Sequence, residues 1–156
     1  MKDKNIVIEA IQESTEKEAA QFIEDILHQE FHDIVHHLDA DDLKNLHTTY
    51  TGNRNMFLIL KDGDKIIGTV GIKEDSYQVA LLRRLFIDPA YRNRGYGSKL
   101  VQKAIEFCKE HGYEMICFRG NNQMDNALRV IEKHNFIKKD IIDFGLFHMY
   151  IYVKLL

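Results

Sequence analysis

The stretch Ala80–Leu100, ALLRRLFIDPAYRNRGYGSKL, changes character midway. Its first part is apolar at both ends, as expected of a strand buried inside a sheet. An Asp-Pro step follows, then two glycines set among two arginines, Arg92, Arg94, Gly95 and Gly97. Directly after them a helical period begins, with Leu100, Val101, Ala104, Ile105 and Cys108 on one face and Gly112 as a left-handed stop. Glycines let a backbone approach a ligand closely and gather N–H groups into one concavity. A helix start adds unpaired amides and the positive end of its dipole. The combination describes a phosphate cradle. The rival reading is a structural turn, since glycines beside helix starts are common. The Walker pattern is absent, and Leu100 stands where a dinucleotide fingerprint needs its last glycine.

Around this stretch the chain alternates in period. Asn5–Gln12 reads as a first strand, and Thr15 with Glu18 as a capping box. Ala19, Phe22, Ile23, Ile26 and Leu27 mark a helix. Phe31, Ile34, Val35 and Leu38 continue the helical phase, and Leu43, Leu46 and Tyr50 mark a further short helix. Asn55–Lys61 and Lys65–Lys73 form a hairpin over a tight turn at Asp62-Gly63. After the quoted stretch come a strand at Tyr113–Gly120, a short helix through Met124, Ala127, Leu128 and Ile131, and one or more closing strands ending in Phe147–Leu156. This is an α/β chain with a mixed sheet, expected to form a single domain over residues 1–156.

Composition narrows the function. The 156 residues are 45% hydrophobic, with net charge −3 and pI near 6.2, which argues against a nucleic-acid binder. No apolar run is long enough to span a bilayer. Met1–Asn5 is polar with no apolar segment behind it, so no secretory leader is expected. Two cysteines, Cys108 and Cys117, make no disulfide framework, and a reducing cytoplasm is the expected setting. The charge is lopsided. Residues 1–78 hold 8 Lys and Arg against 16 Asp and Glu, and residues 79–156 hold 13 against 8. An anion would favour the second half and a cationic acceptor the first.

The stretch Ala80–Leu100 closely resembles the acetyl-coenzyme A signature of the GCN5-related N-acetyltransferases. Asn126–Phe136, NALRVIEKHNF, resembles the closing helix of that family, and DGDKIIGTVGI its central hairpin. Three segments agree in order over residues 55–137. The resemblance implies a mostly antiparallel central sheet flanked by helices, with the fourth strand splaying away from the fifth. It implies a pantetheine arm on the main chain of Leu85, Phe86 and Ile87, with an N–H near Phe86 polarising the thioester carbonyl. The pyrophosphate would rest on Asn93, Arg94, Gly95, Tyr96, Gly97 and Ser98, with Arg92 and Arg94 neutralising it. The implied reaction is direct transfer of acetyl from acetyl-CoA to the primary amine of a small molecule or lysine-like acceptor, without a metal. An acyl-CoA-binding module without turnover is the alternative, and dimers are frequent in this fold.

The chemistry is less complete than the cradle. Leu81 stands near where many members carry a glutamate, and Ile131 where a tyrosine often protonates the leaving sulfur. No general base or acid is assigned. His148, Tyr150 and Tyr152 share a strand face that could look into a substrate cleft, although sheet surface is the plainer reading. Glu74 and Asp75 could engage a cationic acceptor. Arg83 and Arg84 put one charge on each side of a strand, for cofactor phosphates or for a salt bridge. His28, His32 and His36 recur every four residues, a spacing that can bind zinc but lacks further ligands. Both cysteines read as core. The aromatic final strand could supply a dimer edge.

Overall fold

The computed structural model describes residues 5–156; Met1–Lys4, on which the expectation of no leader partly rests, lie outside them. The chain runs β1 (Ile6–Ala10), α1 (Glu16–Glu30), α2 (Leu46–Thr49), β2 (Met56–Asp62), β3 (Lys65–Glu74), β4 (Val79–Ile87), α3 (Tyr96–Glu110), β5 (Met115–Asn121), α4 (Asp125–Lys133), β6 (Ile137–Asp143) and β7 (His148–Leu155). Seven strands make one sheet in the order β1-β2-β3-β4-β5-β7-β6. Only β4 and β5 run parallel, as the α3 crossover between them requires. The expected mixed, mostly antiparallel sheet is therefore the one observed.

Each sheet face has its own core. Leu100, Val101, Ala104 and Cys108 of α3, with Leu128 and Ile131 of α4, pack under Val70, Leu82 and Phe118. On the other face α1 sets Ala19, Ile23, Ile26 and Leu27 against Phe57, Ile59 and Phe86. The hairpin turns through Gly63 and Asp64, with Gly63 at φ 61°. No helix among the described residues is long and apolar enough to cross a membrane.

Four local expectations are corrected. Thr15 does not cap α1: its backbone is already helical, and its hydroxyl turns back to donate to Gln12 O at 3.2 Å. The apolar residues after α1 do not extend it. The helix stops at Glu30, and a separate 3-10 turn at Val35–His37 follows. Phe31 and Ile34 are still buried, because an i, i+3 spacing is met as well by tight turns as by a helix. The histidine stripe is broken with it. His28 lies in the last turn of α1, His32 beyond its end and His36 in the 3-10 turn. No group of three His, Cys, Asp or Glu among the described residues is placed to hold a metal. Finally, β7 is no edge, because β5 pairs on one side of it and β6 on the other. The edges are β1 and β6, and β6 is exposed along its whole length.

Candidate functional site

The site begins with an extra residue in β4. Thr69 lies opposite Phe86 and Gly71 opposite Arg83, so three steps of β4 meet two of β3. The surplus is taken up at Arg84, held at φ 56°. A non-glycine residue there needs support from its surroundings. Thr69 Oγ1 donates to Arg84 O at 2.7 Å. The Arg84 guanidinium grips both oxygens of Asp42 and donates to Asp39 O at 2.6 Å. Tyr50 Oη completes the cluster by donating to Asp42 at 2.8 Å. Burial pushes the Asp42 carboxyl up, but Arg84 and Tyr50 outweigh it and hold the group below the ordinary carboxylate range. Burial and Asp42 push the Tyr50 phenol up, and Asp42 keeps Arg84 charged against its own burial. Of the two arginines in question, Arg84 is thus the salt bridge.

The bulge coincides with the parting of two strands. β4 pairs with β5 only from Val79 to Leu82, opposite Met115 to Phe118. From Arg83 to Ile87 the β5-facing edge of β4 has no strand partner. Asp88 N donates to Ile67 O on the β3 side. Strand alternation then points the Phe86 amide toward β3 and the Leu85 and Ile87 amides into the gap. The free donors are therefore the neighbours of Phe86, not Phe86 itself. Ile87 O accepts from Arg92 Nε at 2.9 Å.

Three cavities follow this gap. The first, about 400 Å³, lies on the α1 side, between Leu27, Phe31, Leu81, Arg83, Cys117, Arg119 and Met149. The second, about 260 Å³, holds Leu85, Phe86, Ile87, Arg92 and Asn93, and shares Phe31, Phe86 and Met124 with the first. The third, about 340 Å³, is walled by Arg92, Asn93, Gly95, Tyr96, Gly97 and Ser98. Shared Asn126 and Arg129 join it to the second. At its floor α3 starts behind Gly95, φ 85°, and Asn93 is also left-handed, φ 63°. A Cβ on Gly97 would meet Val130 Cγ2 at 3.3 Å, so α3 and α4 approach closely there.

Of the ten residues expected to hold a cofactor, nine line the second and third cavities. Arg94 lines neither: it donates to Ala90 O and lies over the Tyr91 ring. Arg92 reaches the site but already carries an anion, since both its terminal nitrogens bond Glu30, at 3.0 and 2.7 Å. Exposed Arg129 and Lys133 of α4 line the third cavity. Their i, i+4 spacing, opposite the buried Leu128 and Ile131, was the sequence signal that could have found them.

Other candidates fall elsewhere. Tyr152 is buried against α4 and donates to Glu132 at 2.6 Å, and the strand residue that reaches the first cavity is Met149, from the opposite face. Glu74 pairs with Arg54 away from the gap. Burial pushes the Cys108 thiol up to about 12 and raises Cys117 too, against the pull of Arg119, so neither is a ready thiolate. Ile131 is fully buried in the α3–α4 core and lines none of the three cavities. Ile131→Tyr is accordingly expected to overpack that core, lowering stability by about 1–3 kcal/mol in a melting experiment, without supplying a proton donor to the gap.

The family model for the acetyltransferase (GNAT) family matches residues 20–136. The chain belongs to that family. It is 28% identical over 118 residues to a probable N-acetyltransferase camello of Xenopus tropicalis, covering 74% of this chain and 54% of that protein. It is 29% identical over 65 residues to an uncharacterized N-acetyltransferase of Methanocaldococcus jannaschii, 42% of this chain and 29% of that one. The chain thus spans about half the length of the camello relative. Among solved structures, an acetyltransferase from Streptococcus agalactiae has a TM-score of 0.81 at 17% identity, over 98% of this chain and 99% of that one. A putative acetyltransferase from Salmonella typhimurium, solved with acetyl-CoA, has 0.76 at 14% identity, over 98% and 95%. These share the GNAT fold.

Proposed function

We propose that this GNAT protein transfers acetyl from acetyl-CoA to a primary amine by direct attack. The observation that carries the reading is the unpaired β4 edge, opening into joined cavities that end on the glycine-wrapped start of α3. The residues present fit the donor. The Leu85 and Ile87 amides suit a pantetheine arm, and the amides of Asn93–Ser98 with the α3 dipole suit a pyrophosphate. Bound acetyl-CoA would supply a thioester whose acetyl carbon accepts the amine. This chain's part is to place the two reactants, to aim the Leu85 amide at the developing oxyanion, and to keep the gap dry with Phe31, Phe86 and Met124. Arg129 and Lys133 supply charge at the phosphate end, and Arg92 joins them when it leaves Glu30.

Glu30→Gln is expected to free Arg92 and tighten acetyl-CoA up to about fivefold in a calorimetric titration, the scale of a partly exposed ion pair. Unchanged or weaker binding would mean that Glu30 positions Arg92 instead of competing for it.

The test of function is thermal melting with saturating acetyl-CoA, CoA or ATP, followed by thiol release with an amine panel. A hundredfold excess over Kd should stabilise by about 2.7 kcal/mol. A shift with acetyl-CoA and CoA but not ATP, then amine-dependent thiol release, is the expected result. A shift without any thiol release would favour the acyl-CoA-binding module, the reading that Leu81 and Ile131 speak for. No shift would overturn the donor site.

A further inference from the structure

We propose that the acceptor amine carries a carboxylate, held by Arg83 and Arg119, and that it is an amino acid with an apolar side chain; this rests on the acetyltransferase reading above. Leu81 and Cys117 face each other across the last paired stretch of β4 and β5. Two residues further along each strand come Arg83 and Arg119, on the same face, where the strands part. The two guanidiniums therefore flank the entrance to the gap from the α1 side, and both line the first cavity.

Their charge is available. Arg83 makes no hydrogen bond or ion pair with any described residue; it feels the Asp42 charge only at a distance, since both Asp42 oxygens are engaged by Arg84 and Tyr50. Arg119 is exposed, and its hydrogen-bond partner is the neutral Cys117 thiol, which cancels none of its charge. Among the described residues, the one acid lining the cavity is the exposed Asp39. Neither arginine serves the donor phosphates, since the first cavity shares no residue with the third. Of the described acids of the N-terminal half, expected to draw in a cationic acceptor, Asp39 alone reaches this wall. Arg84, engaged by Asp42, and Asn121 also line it, while Leu27, Phe31, Leu81 and Met149 give it an apolar wall, and about 400 Å³ accommodates a leucine- to phenylalanine-sized molecule.

The same pair bears on the missing base. Positive charge beside an ammonium favours its neutral form, so the arginines that fix the carboxylate also help the neighbouring amine to lose its proton. The proton passes to water. The amine lone pair then forms the N–C bond, the C–S bond breaks with its electron pair on sulfur, and the amine's second proton also goes to solvent. A carboxylate at Leu81 would offset that effect.

The experiment compares L-leucine, L-methionine and L-phenylalanine with their amides at saturating acetyl-CoA. An amide has the less basic amine and is the more easily deprotonated, so the comparison is set against the proposal. The expected result is a kcat/KM at least about tenfold higher for the acids, as a charge-assisted pair gives. Arg83→Gln and Arg119→Gln should each erase most of that preference, chiefly through KM, while keeping the acetyl-CoA melting shift; Arg83→Lys should keep part of it. Amides turned over as well as acids, or a preference untouched in both Gln variants, overturns the proposal and leaves the acetyltransferase reading standing. Absence of thiol release with every amine overturns both.

Discussion

Replacing Gly97 by aspartate is expected to abolish acetyl-CoA binding while the protein still folds. Gly97 is buried in the first turn of α3 beside Arg92, Asn93 and Ser98. An aspartate there would put a carboxylate where the amides and the helix dipole now favour a phosphate. At roughly 6 Å and an effective dielectric of about 20, each phosphate charge would be opposed by about 2.8 kcal/mol, about a hundredfold in Kd. The same dipole tolerates an acid in its first turn, so the helix survives. The added Cβ meets Val130 Cγ2 at 3.3 Å, which asks for a small shift of one side chain and not a rebuilt core. Gly97→Ala brings only that contact and should bind within about tenfold of the parent, which separates crowding from charge. The measurement is titration of acetyl-CoA, with melting as the check on folding. A folded Gly97→Asp protein that binds as tightly as the parent would sink the phosphate reading.

The contrast between this loop and the rest of the site shows which physics a sequence carries. The loop was legible because its causes are adjacent: glycines, a helix start and a preceding buried strand lie within twenty residues. The α3 face was legible for the same reason, and all five of its marked residues are buried. What escaped depends on distance. Nothing next to Arg84 announces a left-handed residue, because the side chain that holds it, Asp42, comes from a turn 42 positions earlier. The β6 strand, IKKDIID, lacks the alternation of a half-buried strand, since both its faces are exposed. Bulk charge carries no positions. A sum over the first half cannot say that Asp39 alone of its described acids lines the first cavity, or that Arg83 and Arg119 of the second half line it too.

Asp42→Ala is expected to be the most destabilising single change at the site. The Arg84 and Asp42 side chains are only 9% and 4% exposed, so removing the carboxylate strands a buried guanidinium and leaves the Tyr50 hydroxyl without its acceptor. Breaking a buried pair from one side costs about 3–5 kcal/mol. For a chain of this size that lowers Tm by on the order of 10 °C. Asp42→Leu with Arg84→Met should recover much of the loss, because no buried charge is then left alone. The pH dependence fixes the cause. The Asp42 carboxyl is held below its ordinary value of 3.8, so its contribution is fully present above that pH and is lost as pH falls through the lowered value. The stability gap between parent and Asp42→Asn should therefore hold from neutral pH down to about 4 and close below it. A gap that closed on the alkaline side would assign the effect to another group. The double variant also tests the site itself. Arg84 sits at the extra residue where β4 leaves β5, and the free Leu85 amide is its neighbour. If the Asp42–Arg84 pair sets that register, the repaired double variant should melt near the parent yet bind acetyl-CoA more weakly. Stability and binding would then separate, as expected of a buried pair whose task is to hold a strand open.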